Sequence, residues 1–302
     1  MISGKKVFKA STVYNHMPLY IMLIPFTVLF TVLTILPIAA SVLLGFTSFD
    51  SVSMPQWCGL DNYFRMFSSD DVFPTVLKNT ILMALITGPV GFLLSFVLAW
   101  FVNEFNPAVR TLLSFMFYAP ALVGNALYIW QVAFSGEKYG YFNSFLLSSG
   151  LITEPIIWLK EPRSVFVIVI FAQLWQSMGI SFLSNISGLQ NIDGALYEAG
   201  MIDGIRSRWQ ELRYITLPGM KHMLLFSAVM QIQSSFSIST VATALAGYPS
   251  VKYSVDTLVS HMNDVGTVRY ELGYASAMSV MLFMIMALAR ILIGRTMNII
   301  SK

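Results

Sequence analysis

Apolar residues in this chain gather into long windows that contain no charge, at 10–49, 79–103, 111–136, 164–192, 222–251 and 272–289. Crossing a bilayer takes about 20 mostly apolar residues in helical conformation. Each window therefore predicts a transmembrane helix, the last one only when extended past Arg290 through Ile291 to Gly294. That extension is allowed because an arginine near a helix end can carry its guanidinium to the interface. A seventh uncharged stretch, Tyr139–Thr153, has only 15 residues and holds Gly140, Asn143, Gly150 and three serines. It predicts an interfacial or re-entrant segment. The first window is too long for a signal-peptide core and lacks a clean small-residue cleavage site, so it is expected to stay in the mature protein.

Composition agrees with this reading. Of 302 residues, 56% are hydrophobic and 11% charged, less than half the charge of about 25% that soluble domains carry. The expected fold class is an all-α integral membrane protein with about six transmembrane helices, forming one domain over 1–302 with an N-terminal segment 1–17 and a core 75–295. With the N-terminus inside, Lys5, Lys6, Lys9, Arg110, Arg206, Arg208, Arg213, Lys221, Arg290, Arg295 and Lys302 fall on the inner side, against seven of the 18 basic residues outside. The acidic residues show the reverse bias but weigh little in orientation. Both termini are thus expected in the cytoplasm, in a multi-pass protein of a bacterial plasma membrane surrounded by lipid. The net charge of +3 reflects the inner bias and does not support a nucleic-acid partner. The single cysteine, Cys58, has no internal disulfide partner.

The turn at 103–110 is short, which predicts that the second and third helices form an antiparallel pair. The other inner loop, 191–221, predicts two short helices. Asp193 is suited to cap the first and Gly204 to stop it. Ser207 and Gln210 fit a capping box for the second, which Pro218 ends.

Within that loop, Tyr197-Glu-Ala-Gly-Met-Ile-Asp-Gly204 followed by Ile215-Thr-Leu-Pro218 resembles the EAA loop of ABC-importer permeases. Gly59-Leu-Asp-Asn-Tyr63, Asn79-Thr80, Trp158-Leu159 and Gly273-Tyr-Ala-Ser-Ala277 are similar to the carbohydrate-uptake branch of that family. The resemblance runs from about Pro18 to the C-terminus. It implies a type I importer permease with a coupling loop at 191–221, which forms half of a sugar pathway. The implied partners are a second homologous permease, two cytoplasmic ATP-binding-cassette ATPase subunits and an extracytoplasmic sugar-binding protein. In the family the EAA loop docks into a groove of the ATPase, which carries over to Glu198, Ala199, Gly200, Asp203 and Gly204. Two positions depart from the pattern: Gly200 replaces its third alanine, and Ile205 follows Asp-Gly where alanine is common.

The chain lacks the Gly-x-x-x-x-Gly-Lys-Ser/Thr phosphate loop, so ATP and Mg2+ are expected on the partner ATPase, with no catalytic residue, cofactor or metal on this chain. His16, His222 and His261 are scattered near span ends without metal-ligand spacing. Polar groups inside the spans are candidates for the sugar path. Gln173, Gln176 and Ser177 share one helical face, as do Gln231, Ser234 and Ser235, while Trp130 and Trp175 could stack on a sugar ring. Alternatively these serines and glutamines are hydrogen-bonding glue between helices. An ion-gradient-driven transporter or channel would place ionisable residues within the spans, which are nearly free of them. A membrane-embedded enzyme would need convergent acid, base or metal groups at membrane depth, and none is visible.

Overall fold

A computed structural model describes residues 17–300. Lys5, Lys6, Lys9 and Lys302, part of the orientation argument, and His16 lie outside the described residues. Helix α1 covers 17–44, with a π turn at Thr31–Ile35. A short hairpin follows, β1 Thr47–Ser48 against β2 Gln56–Trp57, then α2 Asp61–Ser68. The remaining helices are α3 Phe73–Asn103, α4 Pro107–Leu122, α5 Tyr128–Ala133, α6 Tyr141–Ser148, α7 Pro162–Gln190, α8 Gly194–Ile202, α9 Arg208–Glu211, α10 Lys221–Phe236, α11 Ser239–Ala246, α12 Leu258–Asn263 and α13 Leu272–Ile300.

Among the described residues five helices are long and apolar enough to cross a membrane: Leu19–Leu44, Phe73–Asn103, Pro162–Gln190, Lys221–Ala246 and Leu272–Arg295. The last continues past Arg290, as its sequence predicts. The third window departs from expectation, because α4 stops after 16 residues and Val123 is extended. Pro120 removes a backbone donor from its last turn, and Gly124-Asn125 follow, a combination that favours a break. Helix α5 then takes up the chain for six residues. The fifth window is interrupted more mildly at Ser237, between α10 and α11, where no residue becomes extended. These two interrupted spans meet, with Gln131 Nε2 donating to the carbonyl of Ala244.

Helix α7 occupies the centre of the bundle, packed against α3, α4 and α10. Small residues make this possible. A Cβ on Gly179 would lie 2.8 Å from Ala121 Cβ, and one on Gly188 would lie 2.9 Å from Met223 Cβ, so the helix axes approach closely. Helix α4 accordingly packs mainly on α7, through Phe117 and Phe182 with ring centroids 5.3 Å apart. It touches α3 more sparsely than an antiparallel pair would. The first part of helix α1 stands apart, with none of its most apolar window buried, while its last segment, Leu36–Leu44, packs against α13, where the Ser41 and Ser279 hydroxyls meet at 3.0 Å.

At the end of the bundle opposite the 191–221 loop, here the distal end, asparagines fasten the loops to the spans. Asn62 Nδ2 donates to the carbonyls of Gly45 and Thr47, at 3.0 and 2.9 Å. Asn79 Nδ2 reaches the carbonyls of Tyr253 and Asp256, at 2.7 and 3.0 Å. Asn143, on α6 within the seventh stretch, donates to Ile156 O and accepts from Trp158 Nε1 at 2.8 Å. Gly273 lets the start of α13 meet the hairpin, since a Cβ there would lie 2.0 Å from Thr47 O. The same end holds a buried polar cluster. Asp70 Oδ2 accepts from the Tyr274 hydroxyl at 2.7 Å and lies 2.8 Å from His261 Nε2. Tyr248 closes on the other ring nitrogen at 3.2 Å. Arg65 pairs with Glu271 and covers the Tyr274 ring at 4.2 Å. Burial pushes the Asp70 carboxyl up, but hydrogen bonds from Tyr274 and His261 outweigh it and hold the group below the usual carboxylate range.

Candidate functional site

The 191–221 loop forms as its sequence predicts. Asp193 accepts from the amide of Ala195 at 3.0 Å and caps α8. Gly204 stops that helix in the left-handed region, at φ 91°, which costs an L side chain but not glycine. Ser207 and Gln210 close their capping box, with the Ser207 hydroxyl accepting from Gln210 N at 3.2 Å and Gln210 Oε1 accepting from Ser207 N at 3.2 Å. Helix α9 then runs into a π segment, Leu212–Thr216, and a last turn, Leu217–Gly219, that contains Pro218.

The residues carried over from the resemblance separate into two groups. Glu198, Ala199, Asp203 and Gly204 are exposed. Gly200 is buried and turned inward, and a Cβ there would lie 2.6 Å from Ile215 Cδ1 and 3.2 Å from Ile205 Cδ1. Gly200 therefore seats α8 on the π segment. Tyr197 fixes the same contact, its hydroxyl 3.3 Å from Thr216 Oγ1. Three apolar side chains of α8 remain exposed: Leu196 one turn before Gly200, Met201 at the edge of a cavity, and Ile202 on the far side from Gly200 at 87% exposure. Behind the loop lies a cavity of about 660 Å3, walled by Trp100, Tyr197, Ile205, Ile215 and the charged group Glu104, Arg208 and Glu211. Arg208 bridges Glu104 at 2.9 Å and Glu211 at 3.0 Å, linking the short 103–110 turn to the 191–221 loop.

Inside the spans, several predicted polar residues face this chain's own helices. Gln231 is buried, donating to Ser177 Oγ at 3.0 Å and Thr87 O at 3.3 Å and accepting from Ser181 Oγ at 3.2 Å. It fills the place of a side chain at Gly91, where a Cβ would lie 2.1 Å from Gln231 Nε2. Gln173, also buried, donates to Ser234 O at 2.8 Å and its hydroxyl at 3.3 Å. Ser235 bonds back to Ile232 O at 2.8 Å. Gln176, Ser177, Ser234, Trp130 and Trp175 are half-buried, the two indoles 6.0 Å apart and edge to face.

A second polar line escapes the sequence reading. Gln233, Ser237 and Thr240 are all exposed along α10 and the start of α11. They follow at four and then three residues, so they share one face, opposite Gln231. Asn125, at the break after α4, is exposed as well. The spacing was visible in Gln231-Ile-Gln-Ser-Ser-Phe-Ser-Ile-Ser-Thr240, but nothing in it said which glutamine looks inward.

Comparison with known proteins bears on this arrangement. Over 287 residues the chain is 31% identical to a probable ABC transporter permease, YesP, of Bacillus subtilis (strain 168), covering 92% of this chain and 89% of that protein. It is also 31% identical over 209 residues to the lactose transport system permease LacF of Rhizobium radiobacter, 68% of each chain. A chain of a bacterial ABC transporter that imports the acidic polysaccharide alginate shares the fold, with a TM-score of 0.78 and 21% identity over 97% of this chain and 99% of that one. Residues 89–300 match the sequence profile of the inner membrane components of binding-protein-dependent transport systems. The loop, the spans and this match together make the chain a member of that family, a helical ABC-importer permease of the membrane.

Proposed function

We propose that this chain forms half of the translocation pathway of an ATP-driven sugar importer and receives its driving motion through α8. In this reading it pairs with a second homologous permease. Two ATP-binding-cassette subunits hold ATP and Mg2+ on the cytoplasmic side, and a sugar-binding protein delivers cargo from outside. The observation that carries the proposal is the build of α8. A short helix, capped at one end and stopped by glycine at the other, is wedged onto the π segment by Gly200 while leaving Met201 and Ile202 uncovered between the carboxylates Glu198 and Asp203. An apolar knob rimmed by charge is suited to a protein groove rather than to water. Rigid seating lets a push on the knob pass into α7 and α10, to which the loop is joined at both ends.

The names of relatives support sugar as the cargo class, since LacF is a lactose permease and SmoG, 29% identical over 275 residues, serves sulfoquinovosyl glycerol. Gln233, Ser237 and Thr240 line the face that this chain leaves open. A polar stripe at bilayer depth is costly against lipid and fits a hydrated path completed by a second permease. Gln176, Trp130 and Trp175 extend the candidate surface, the indoles offering flat apolar faces to a ring.

The test is site-directed crosslinking of the assembled importer, with a cysteine at Ala199 or Ile202 and its partner on the ATPase groove. Crosslinking that changes with ATP supports the reading. A loop that labels only from outside the cell, or that never reaches an ATPase, sinks it.

A further inference from the structure

A groove of about 420 Å3 runs between α3, α10 and α13, walled by Gly88, Pro89, Ile232, Phe236, Ile285 and Leu292. Its lining is apolar apart from Ser235, whose hydroxyl is already bonded to Ile232 O. At the end nearer the 191–221 loop, the walls lead to two cations. Lys221 lies seven residues before the lining residue Ala228, two turns below it on the same face of α10. Arg295 follows the lining residues Leu288 and Leu292 at seven and three residues, on one ridge of α13. Neither makes an ion pair among the described residues.

We infer that this groove holds an acyl chain of an anionic phospholipid, whose headgroup phosphate lies between Lys221 and Arg295. Depth supports the assignment. From Ile285 to Arg295 is about 15 Å at 1.5 Å per residue, half of the roughly 30 Å hydrocarbon thickness and so the depth of one leaflet. A chain anchored at the cations would run past Phe92, Ala228 and Leu292 toward the groove's distal end at Ile81, Phe236 and Ile285. Charge supports it too. A transmembrane helix filling the groove would have no use for two unpaired cations at one end, whereas an anionic headgroup neutralises both. The inference depends on the membrane disposition of the spans and on neither the sugar nor the ATPase.

The test uses the full-length chain in its complex, reconstituted in phosphatidylcholine nanodiscs with a trace of phosphatidylglycerol bearing a photoreactive group midway along one acyl chain. Adducts are mapped by mass spectrometry, with a matching phosphatidylcholine probe alongside. The expected result is phosphatidylglycerol labelling of α3 and α13 groove residues. It should fall about fivefold with each of Lys221→Gln and Arg295→Gln, the factor expected for about one headgroup contact per cation. Ala289→Trp, which fills the groove, should remove the label while Lys221→Gln leaves the helices intact. Equal labelling by both probes, labelling indifferent to both charge substitutions, or a photoreactive group at Leu292 that captures a second permease instead of lipid would overturn it. Because the readout is lipid capture, it stands or fails apart from import and ATPase coupling.

Discussion

At the distal end, Asn62, Asn79 and Asn143 give their amides to backbone carbonyls of neighbouring segments, and Asp70, His261, Tyr248 and Tyr274 satisfy one another. At the 191–221 end, polar groups mostly close local turns, as at Asp193 and Ser207, with the exposed Arg208–Glu104 pair and the Tyr197–Thr216 contact reaching further, and the apolar residues Leu196, Met201 and Ile202 stay uncovered. One end of the bundle is fastened to itself and the other is held ready for something else. The difference teaches where to look for a moving contact. A surface whose bonds are already made resists displacement, and a rigid helix with an unmatched apolar face is suited to a partner.

The sharpest way to break that contrast is to unseat α8. Gly200→Leu cannot fit beside Ile215 and Ile205, and overpacking of this kind costs about 1–3 kcal/mol. Transport per inserted molecule is expected to fall about 10- to 100-fold, with membrane insertion unchanged on a blot of washed membranes. Gly200→Ala is expected to be mild, because the nearest atom is the mobile tip of Ile215, and Ile215→Val should relieve what remains. A Gly200→Leu protein with normal uptake would show that the seat does not matter.

Next in size is the distal cluster. Asp70→Asn keeps the shape but removes the charge that faces His261 and Tyr274, and hydrogen bonds to charged groups are worth about 1.5–3 kcal/mol. Thermal unfolding of the detergent-solubilised protein should shift down by several degrees, while crosslinking of the loop end to an ATPase stays as it was. If both ends respond together, they are not separable in the way their bonding suggests.

Much of the loop end could be read from the chain, because capping is local. Asp193, Ser207, Gln210 and Gly204 act within three or four residues of themselves, and they do in the structure what their types predict. Five of the six spans were legible from the uncharged apolar windows along the chain. The distal clasp was not, since Asn79 meets carbonyls of Tyr253 and Asp256 across almost the whole core. Asn62, Asn79 and Gly273 were visible only as marks of family resemblance, with no physical role attached. The break after Leu122 was hidden because Val123, Ala126 and Leu127 continue the apolar composition on both sides of Gly124-Asn125. Helical spacing sorted the polar residues of α10 into faces, yet a span surrounded by lipid and protein lacks the soluble rule that polar means outward. So Gln231 was singled out and Gln233, two residues away on the opposite face, was passed over.

Those two glutamines give a smaller effect and a cleaner discrimination. Gln231→Leu leaves Ser177, Ser181 and Thr87 without their shared partner, and an interhelical hydrogen bond in a membrane is worth about 0.6–2 kcal/mol. Unfolding temperature should fall while the KM for uptake is kept. Gln233→Leu should do the reverse, leaving the unfolding temperature in place and raising KM. Should Gln233→Leu alone destabilise the isolated permease, the outward face is a packing surface and the path lies elsewhere.

The smallest expected effect is that of pH on the distal end, and its sign follows from Asp70. A carboxyl held below its usual range stabilises the fold while ionised. That contribution is complete above the unfolded value, about 3.9, and is lost as pH falls through the lower folded value. Asp256 works in the opposite sense, since burial raises its pKa even though Ser250 N donates to it at 3.0 Å. Its protonation on acidification relieves a strain present at neutral pH. The two act in successive windows, so acidification toward about 4 should raise the unfolding temperature slightly through Asp256, and a decline should follow near and below about 4 through Asp70. Asp70→Asn should flatten that decline and Asp256→Asn should remove the gain that precedes it. A decline that ignores both substitutions would place the acid-sensitive group outside the clasp and remove the distal end's claim to be fastened by this cluster.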